Sequence, residues 1–286
     1  MTSEKRHQLT QFIESQIPSF HQKRLESLGG LRLEKVLARK NPYLFRAKHV
    51  ETAGALVAQL LDAHLSSQEE TVFGDFLELL AIFVCEQAYG GRKSSTEGID
   101  LEFERDGLRY IVSIKSGPNW GNSSQIKKMC DYFRQARKIA GARKQLIAVN
   151  GCCYGRDTKP EKGDYLKLCG QAFWELISGD EGMYQEIIEP LGHRAKERNE
   201  AFASEYAKVS NRFTAQFLKD FCRDDGAIDW NKLVAFNSAT AKPVKVPEGD
   251  PKVVQSKQRA GTGTTAKKSA SAAKKAPTKR ATKKTQ

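Results

Sequence analysis

The clearest alternation of apolar and polar positions lies at residues 99–105 and 108–115, on either side of the pair Asp106-Gly107. Alternation predicts half-buried strands, and an Asp-Gly pair between two such runs favours a two-residue type I′ turn. Because that turn sets the register, it predicts which residues face each other across a β-hairpin. The facing pairs are Phe103 with Tyr110, Leu101 with Val112, and Asp100 with Ser113.

Side chains of this hairpin divide into two faces. The apolar face is predicted to carry Ile99, Leu101, Phe103, Tyr110, Val112 and Ile114. The polar face is predicted to carry Asp100, Glu102, Glu104, Ser113 and Lys115. Facing Cβ atoms in an antiparallel pair lie roughly 5 Å apart, and the next residue on the same face roughly 7 Å away. Asp100 and Lys115 are therefore expected to meet over one small patch.

Helical patterns precede the hairpin. Residues 5–40 predict two helices, broken near Pro18 and at Gly29-Gly30, and residues 41–46 predict a turn with aromatic anchors. Further helices are expected at 50–65 and 72–88, the second opening on a Ser67 and Glu70 capping box. That second helix is apolar around most of its circumference, which indicates a central position against a sheet.

Beyond the hairpin, residues 116–122 predict a loop and residues 123–140 a helix with Ile126, Cys130 and Phe133 facing inward. Residues 145–150 (QLIAVN) predict a buried strand, and residues 165–236 are mainly helical in pattern. This order of elements indicates a mixed α/β fold, with a small central mixed sheet flanked by helices and further helical additions. We expect an N-terminal helical arm at 1–40, a main domain at 41–240 and a tail at 241–286.

Most of the net charge of +13 lies in the tail. Residues 241–286 hold thirteen Lys and Arg against Glu248 and Asp250, and they contain no aromatic residue. Such a segment cannot bury enough apolar surface to offset the entropy of ordering, so we expect it to be disordered. It would either raise non-specific DNA affinity in a salt-dependent manner or act only as a solubilising extension.

Membrane, secretory and metal-cage signals are missing from the sequence. No run approaches 18 consecutive apolar residues, and the opening MTSEKRHQLTQF lacks a secretory apolar stretch. The six cysteines form no Cys-x-x-Cys pair, so they predict neither a zinc site nor a disulfide framework. We therefore expect a cytoplasmic protein with no membrane association.

One charged position stands out in the apolar helix at 72–88. Glu78 lies among large apolar residues, and a carboxylate there is costly unless it is paired, binds a metal or faces solvent. The first two possibilities would give Glu78 a role in chemistry. The third would make it an ordinary surface residue.

The hairpin carries an acid on one strand and a lysine at the near end of the next, as Ile99-Asp100 and Ser113-Ile114-Lys115. This arrangement resembles the PD-(D/E)XK nuclease superfamily. An Asp and a Lys on a hairpin could also form a surface salt bridge of little consequence.

A wider stretch is similar to type II restriction endonucleases of the group that cleaves RGGNCCY. The similar segments are NPYLFRAK, VFGDFLELLA and the stretch from GGRKSSTEGIDLEF through YIVSIKSGPNWGNSSQ, within residues 41–160. The resemblance implies a restriction-endonuclease-like core and a homodimer that encircles double-stranded DNA. It also implies Mg²⁺-dependent hydrolysis of one phosphodiester per strand and a functional pairing with a cognate DNA methyltransferase.

The resemblance assigns roles to the patch. Asp100 would be a metal ligand, and Lys115 would orient water or stabilise developing charge, as phosphodiester hydrolysis requires. The motif also wants an acid two residues before the lysine, where this chain has Ser113. Ser113 is a poor Mg²⁺ ligand, so a second carboxylate has to come from elsewhere, with Glu78 as first candidate and Glu102 as second.

Candidate DNA contacts lie just past the lysine. Asn119, Trp120 and Asn122 are expected on the loop that meets the duplex, and Lys127, Lys128 and Arg134 on the following helix could contact phosphates. A merely solvated basic face is the alternative for the helix.

The favoured function is a type II restriction endonuclease. One alternative is a repair or recombination nuclease of the same fold. Another is a catalytically silent DNA-binding relative, which Ser113 would favour.

Overall fold

Five strands form one sheet in the computed structural model, which describes residues 2–141 and 146–240. The strands are β1 (Arg92–Lys93), β2 (Leu101–Arg105), β3 (Leu108–Lys115), β4 (Leu146–Cys152) and β5 (Leu166–Cys169). They lie in the order β1-β2-β3-β4-β5; the first three run antiparallel, and β3, β4 and β5 run parallel. The predicted mixed α/β fold, with a small mixed sheet flanked by helices, is confirmed.

The β2–β3 hairpin has the predicted register. Leu101 pairs with Val112 and Phe103 with Tyr110. Asp106 and Gly107 both have positive φ, 53° and 75°, as a type I′ turn requires at its two central positions. Local turn chemistry therefore sets the alignment of the two strands.

Ten helices are described. They are α1 (Ser3–Gly29), α2 (Leu33–Leu37), α3 (Pro42–Ala47), α4 (Ala53–Tyr89), α5 (Ser123–Ala140), α6 (Gln171–Ser178), α7 (Met183–Glu186), α8 (Ile188–Leu191), α9 (Ala195–Phe221) and α10 (Trp230–Ser238). Among the described residues, no helix combines the length and the apolar character that crossing a bilayer requires.

Helix α4 corrects the prediction of two separate helices at 50–65 and 72–88. It runs unbroken for 37 residues, and Gly90 in the left-handed region (φ 66°) ends it. Its first half packs in a cluster with α2 and α9, through Leu56 and Leu60 among others. Its second half packs against the sheet, through Leu80 and Val84 among others. The polar stretch between them joins two cores within one helix.

Helix α1 also corrects the prediction, because it continues through Pro18 to Gly29. Three buried side chains, Leu9, Ile13 and Ile17, attach it to the same core as the sheet. Packing therefore outweighs the backbone hydrogen bond that a proline removes inside a helix. The predicted arm boundary at residue 40 stays a prediction.

The turn predicted at 41–46 is a short helix instead. Asn41 caps α3 by accepting hydrogen bonds from the backbone N–H groups of Tyr43 and Leu44. Tyr43 and Leu44 are exposed, and only Phe45 of the expected anchors is buried. An N-cap followed by Pro at the first helical position is a strong helix start, which accounts for the difference.

Both faces of the hairpin's inner strand are covered. Val112 and Ile114 face α4, whereas Ile111 packs with Phe133 of α5. Ile99 belongs to the α5 side and not, as predicted, to the side of Leu101.

The inward face of α5 differs from the prediction as well. It consists of Met129, Phe133 and Ala136, with Ile126 exposed and Cys130 only half-buried.

The chain divides into two units, Met1–Ala239 and Thr240–Gln286. The basic tail predicted to be disordered, residues 241–286, lies outside the described residues.

Candidate active site

Asp100 lies directly before β2, where the hairpin places it against the end of β3. Its backbone N–H donates to the Val112 carbonyl oxygen at 2.9 Å, which continues the ladder by one residue. Its Oδ2 accepts a hydrogen bond from the Ile114 backbone N–H at 2.6 Å and one from the Ser113 hydroxyl at 3.4 Å. The predicted meeting of Asp100 with Ser113 is therefore present, and the strand backbone orients the carboxylate.

Lys115 is the last residue of β3 and approaches the same carboxylate. Its Nζ lies 3.7 Å from Oδ2 of Asp100 and donates to the Ile114 carbonyl oxygen at 2.7 Å. The ammonium also lies over the ring of Trp120, 5.3 Å from its centre. The hairpin thus brings Asp100 and Lys115 together as the register predicted.

The electrostatic environment of Asp100 opposes its ionisation. Burial raises the pKa of Asp100 above its usual range, and the negative charge of Glu78 adds to that rise. The positive charge of Lys115 and the hydrogen bonds from Ile114 and Ser113 act in the other direction without cancelling it. A half-buried carboxylate with a raised pKa beside a lysine is a common feature of sites that bind a cation or transfer a proton.

Glu78 lies on α4 and influences this patch through its charge. Its Oε1 accepts from Lys93 Nζ at 3.2 Å, and its side chain is 29% exposed. It therefore neither faces solvent fully nor lies unpaired in the core. The negative charge of Glu78 contributes to the raised pKa of Asp100, so this candidate is within electrostatic reach of the patch.

Glu102, the other candidate, is held between two arginines. Arg92 lies 3.0 Å and Arg109 2.6 Å from its two oxygens, and its side chain is only 12% exposed. Burial tends to raise the pKa of Glu102, but the hydrogen bonds and charges of Arg109 and Arg92 hold it below its usual range. This carboxylate already has its counter-ions.

No group of three or more His, Cys, Asp and Glu side chains in the described ranges is arranged to hold a metal. The donors around the patch are Asp100, the nearby Glu78 and the carbonyl oxygen of Ile114. Oxygen donors of this kind suit a hard cation such as Mg²⁺, which commonly keeps several water ligands and needs only one or two carboxylates. The residues present therefore fit a magnesium ion without forming a complete cage.

The loop residues predicted to contact DNA differ in their surroundings. Asn122 caps α5, with its side chain accepting from the Gln125 backbone N–H at 3.0 Å in a capping box. Trp120 is half-buried against the α5 side of the sheet, and Asn119 is exposed. Of the three, only Asn119 has an exposed side chain with no structural contact among the residues that the structure describes.

The three cations proposed for α5 are all exposed. Lys128 lies over the ring of Tyr132, 5.4 Å from its centre. Arg134 forms ion pairs with Asp131 and Asp164. The two carboxylates weaken the attraction that its positive charge would exert on a phosphate. Lys127 is the exposed cation of the three for which no such contact is described.

Two residues near the patch were missed by the sequence reasoning. Asn150 of β4 is 1% exposed and pairs with Ser113 across the sheet. Tyr154, 53% exposed, follows β4, and its ring lies against Gly117, where an added Cβ would come within 2.3 Å of it. Asn150 ends the run QLIAVN, which predicts a buried strand. A polar residue in such a strand needs a hydrogen-bond partner, and this could have identified Asn150 from the sequence.

Comparison with known proteins gives one family. The chain matches the family model described as type II restriction endonuclease EcoO109I over residues 7–199. That match covers α1 to the start of α9, and so includes the whole hairpin and sheet. No curated protein matches the chain.

Proposed function

The chain belongs to the type II restriction endonuclease EcoO109I family, and from that membership we propose that it hydrolyses double-stranded DNA at a specific site, with Asp100 helping to hold Mg²⁺ and Lys115 acting beside it. The observation that supports this assignment is the 3.7 Å approach of Lys115 Nζ to Asp100 Oδ2 at the end of β3. A restriction endonuclease needs a carboxylate and a positively charged side chain close together, and the hairpin supplies both as Asp100 and Lys115.

Asp100 and Glu78 are the residues that would hold the magnesium ion. When bound, the ion would neutralise phosphate charge and lower the pKa of a water ligand. Asp100 suits this role because burial raises its pKa, so its charged form is disfavoured in the protein alone and would be stabilised by a bound cation. Glu102 suits it less, because two arginines already compensate its charge. Ser113 is buried, and its hydroxyl donates a hydrogen bond to Asp100. Its role is therefore to orient the Asp100 carboxylate.

Lys115 would orient the attacking water or stabilise the charge that develops on the phosphate. Its ammonium has three donors, and two of its neighbours, Asp100 Oδ2 and the Ile114 carbonyl oxygen, direct it toward the patch. Its side chain is 29% exposed, so a phosphate can reach it. A donor positioned in advance at developing charge is often the largest contribution to catalysis.

Basic residues on α5 and the adjoining loop would position the duplex. Lys127 and Lys128, with Asn119 before them, follow Lys115 in the chain and are proposed to contact the DNA backbone or groove. A homodimer would supply a second copy of the patch for the second strand. A site related to RGGNCCY and a cognate DNA methyltransferase are proposed on the same resemblance.

The test is incubation of the purified protein with unmodified plasmid DNA in Mg²⁺ and in EDTA. We expect discrete fragments in Mg²⁺ and intact plasmid in EDTA. A smear would instead indicate non-specific or end-dependent digestion. Plasmid that is bound in a gel shift but intact in Mg²⁺ would contradict the proposal and favour a silent DNA-binding protein.

Lys115→Ala tests the placement of the site. We expect it to abolish cutting and to leave DNA binding largely intact, because a single lysine contributes little to the total DNA affinity. Lys219→Ala, an exposed lysine on α9, is the matched control and should cut at the wild-type rate. Full activity of Lys115→Ala would mean that the active site lies elsewhere.

A further inference from the structure

Lys115 has a long side chain at the end of a strand and needs external contacts to hold its ammonium in place. A lysine side chain is a flexible four-carbon stem, and fixing it costs rotamer entropy. Two of its ammonium contacts, to Asp100 and to the Ile114 carbonyl, are on the hairpin itself. The third is the face of Trp120, 5.3 Å away on the loop that follows.

Trp120 is itself held in one orientation. Its ring packs on the cluster formed by Ile99, Ile111 and Phe133, and its Nε1–H donates to Oδ1 of Asn150 at 3.1 Å. An indole has a single donor, so this hydrogen bond and the packing together determine how the ring faces Lys115.

Asn150 has no route to solvent and therefore no direct role in binding DNA. It is 1% exposed, and its Nδ2 donates to the Ser113 carbonyl oxygen at 3.2 Å. A buried amide is costly unless its donors and acceptors are used, and here the two contacts use both ends of the group. The same amide thus joins the backbone of β3 beside the active site to the ring above the lysine.

We propose that Trp120 and Asn150 are positioning residues for Lys115: the indole face holds the ammonium over Asp100, and the buried amide holds the indole. The inference rests on the proposed function of Lys115. It assigns Trp120 a role other than contact with DNA. It also assigns Asn150, which is buried in β4, a role in the reaction.

The experiment separates DNA affinity from the rate of cutting. Trp120→Leu removes the ring face, Trp120→Phe keeps it without the N–H, and Asn150→Ala removes the acceptor. Each is assayed for single-turnover cleavage in Mg²⁺ and for DNA affinity in EDTA, well below its thermal transition. Trp230→Leu is the matched control, because Trp230 is also a half-buried indole beside a cation, Arg46, but belongs to the α9 core.

We expect Trp120→Leu to slow single-turnover cleavage roughly tenfold, the size of a partly desolvated cation–π contact, with DNA affinity within about twofold of wild type. Trp120→Phe should recover only part of that loss, because it restores an aromatic face to the ammonium but not the N–H that Asn150 holds. Asn150→Ala should slow cleavage to a similar extent. If Asn150→Ala fails to fold, Asn150→Ser leaves a hydroxyl that is too short to take the place of the Asn150 Oδ1 acceptor, and it should show the same change in rate.

An independent readout is Trp fluorescence. Lys115→Met should alter the protein's emission in the absence of DNA and magnesium, and should not alter it in a Trp120→Phe background. No change in either background would overturn the contact on which the proposal stands.

Two further results would overturn the proposal. One is wild-type cleavage rates in Trp120→Leu and in the folded Asn150 variant. The other is a loss of DNA affinity in Trp120→Leu that accounts for the whole rate defect, which would make Trp120 a DNA contact. Failure of the proposed function looks different, because either the wild-type protein would leave plasmid intact in Mg²⁺ or Lys115→Ala would cut DNA normally.

Discussion

Asp100 and Glu102 lie two positions apart on the same arm of the hairpin, and their carboxylates have opposite electrostatic environments. Arg92 and Arg109 flank Glu102 and lower its pKa, whereas burial and the charge of Glu78 raise the pKa of Asp100. A carboxylate that the fold fully neutralises contributes to stability. One that the fold leaves incompletely neutralised can gain more from a bound cation, and this contrast separates a structural acid from a functional one.

The largest expected effect is on the rate of DNA cleavage, which should fall far more on substitution of Asp100 than on substitution of Glu102. Asp100→Asn should slow cutting by about 10³-fold or more, because a bound cation contributes several kcal/mol of transition-state stabilisation and about 1.4 kcal/mol is tenfold in rate. Glu102→Gln, the matched change on the same arm, should stay within about threefold of wild type. Single-turnover cleavage of plasmid DNA measures both.

An equal loss in the two variants would erase the distinction and point to a shared metal site. Glu104→Gln, exposed on the same strand, tests for a general effect of removing charge from the hairpin. It should leave the cleavage rate unchanged.

A smaller effect concerns the second carboxylate. If Glu78 completes the site, Glu78→Gln should raise the Mg²⁺ concentration for half-maximal cleavage about tenfold or more, comparable to the loss of other groups that support a metal. Glu86→Gln, an exposed acid on the same helix, is the control and should not change it. An unchanged magnesium requirement in Glu78→Gln would reject this role and return attention to Glu102.

The smallest effects are on stability, and their signs should be opposite. The raised pKa of Asp100 means that the folded protein loses stability as pH rises from the ordinary carboxylate range through the folded pKa. Asp100→Asn removes that cost and should raise the melting temperature at pH 7 in EDTA. The lowered pKa of Glu102 means that its contribution is present at neutral pH and is lost as pH falls through the folded pKa. Glu102→Gln should therefore lower the melting temperature.

Each kcal/mol should correspond to about 2 to 4 °C in a unit of this size. Thermal unfolding in EDTA at a series of pH values measures both shifts. The deficit of Glu102→Gln should begin to close as the pH falls below the ordinary glutamate range, and it should vanish below the lowered pKa of folded Glu102. A lower melting temperature for Asp100→Asn at pH 7 would show that its interaction with Lys115 outweighs its burial. That result would refute the electrostatic contrast.

The hairpin is the part of the fold that the sequence predicted best. Asp106-Gly107 determines the turn, the turn determines the register, and the register determines that Asp100 meets Ser113 and approaches Lys115. All of this information is local in the chain. The orientation of Ile99 was predicted wrongly, because it lies just outside the paired strand, where alternation no longer applies.

Long-range packing accounts for the errors in the helices. The polar stretch near Ser67 has the pattern of a helix start, but the two apolar halves of α4 belong to different cores and the helix simply passes between them. Pro18 likewise has the pattern of a break, and three buried contacts keep α1 intact across it. Neither outcome can be obtained from a window of neighbouring residues.

Asn150 shows the same limit at the active site. Its place in an apolar strand pattern was visible, but its partners, Ser113 and Trp120, come from another strand and a loop. Parallel pairing of β3 with β4 sets these contacts, and no turn residue encodes that register.

The tight turn at Asp106-Gly107 also fixes the spacing along the hairpin at which Asp100 and Lys115 can meet. Side chains alternate between faces, so adding or deleting one residue on either arm would carry Asp100 from the patch into the opposite layer while leaving every catalytic residue type in place. Point substitutions along the arms can accumulate without that penalty. In the descent of this protein, the number of residues from Asp100 to Lys115 is therefore expected to be inherited more strictly than the identity of the residues between them.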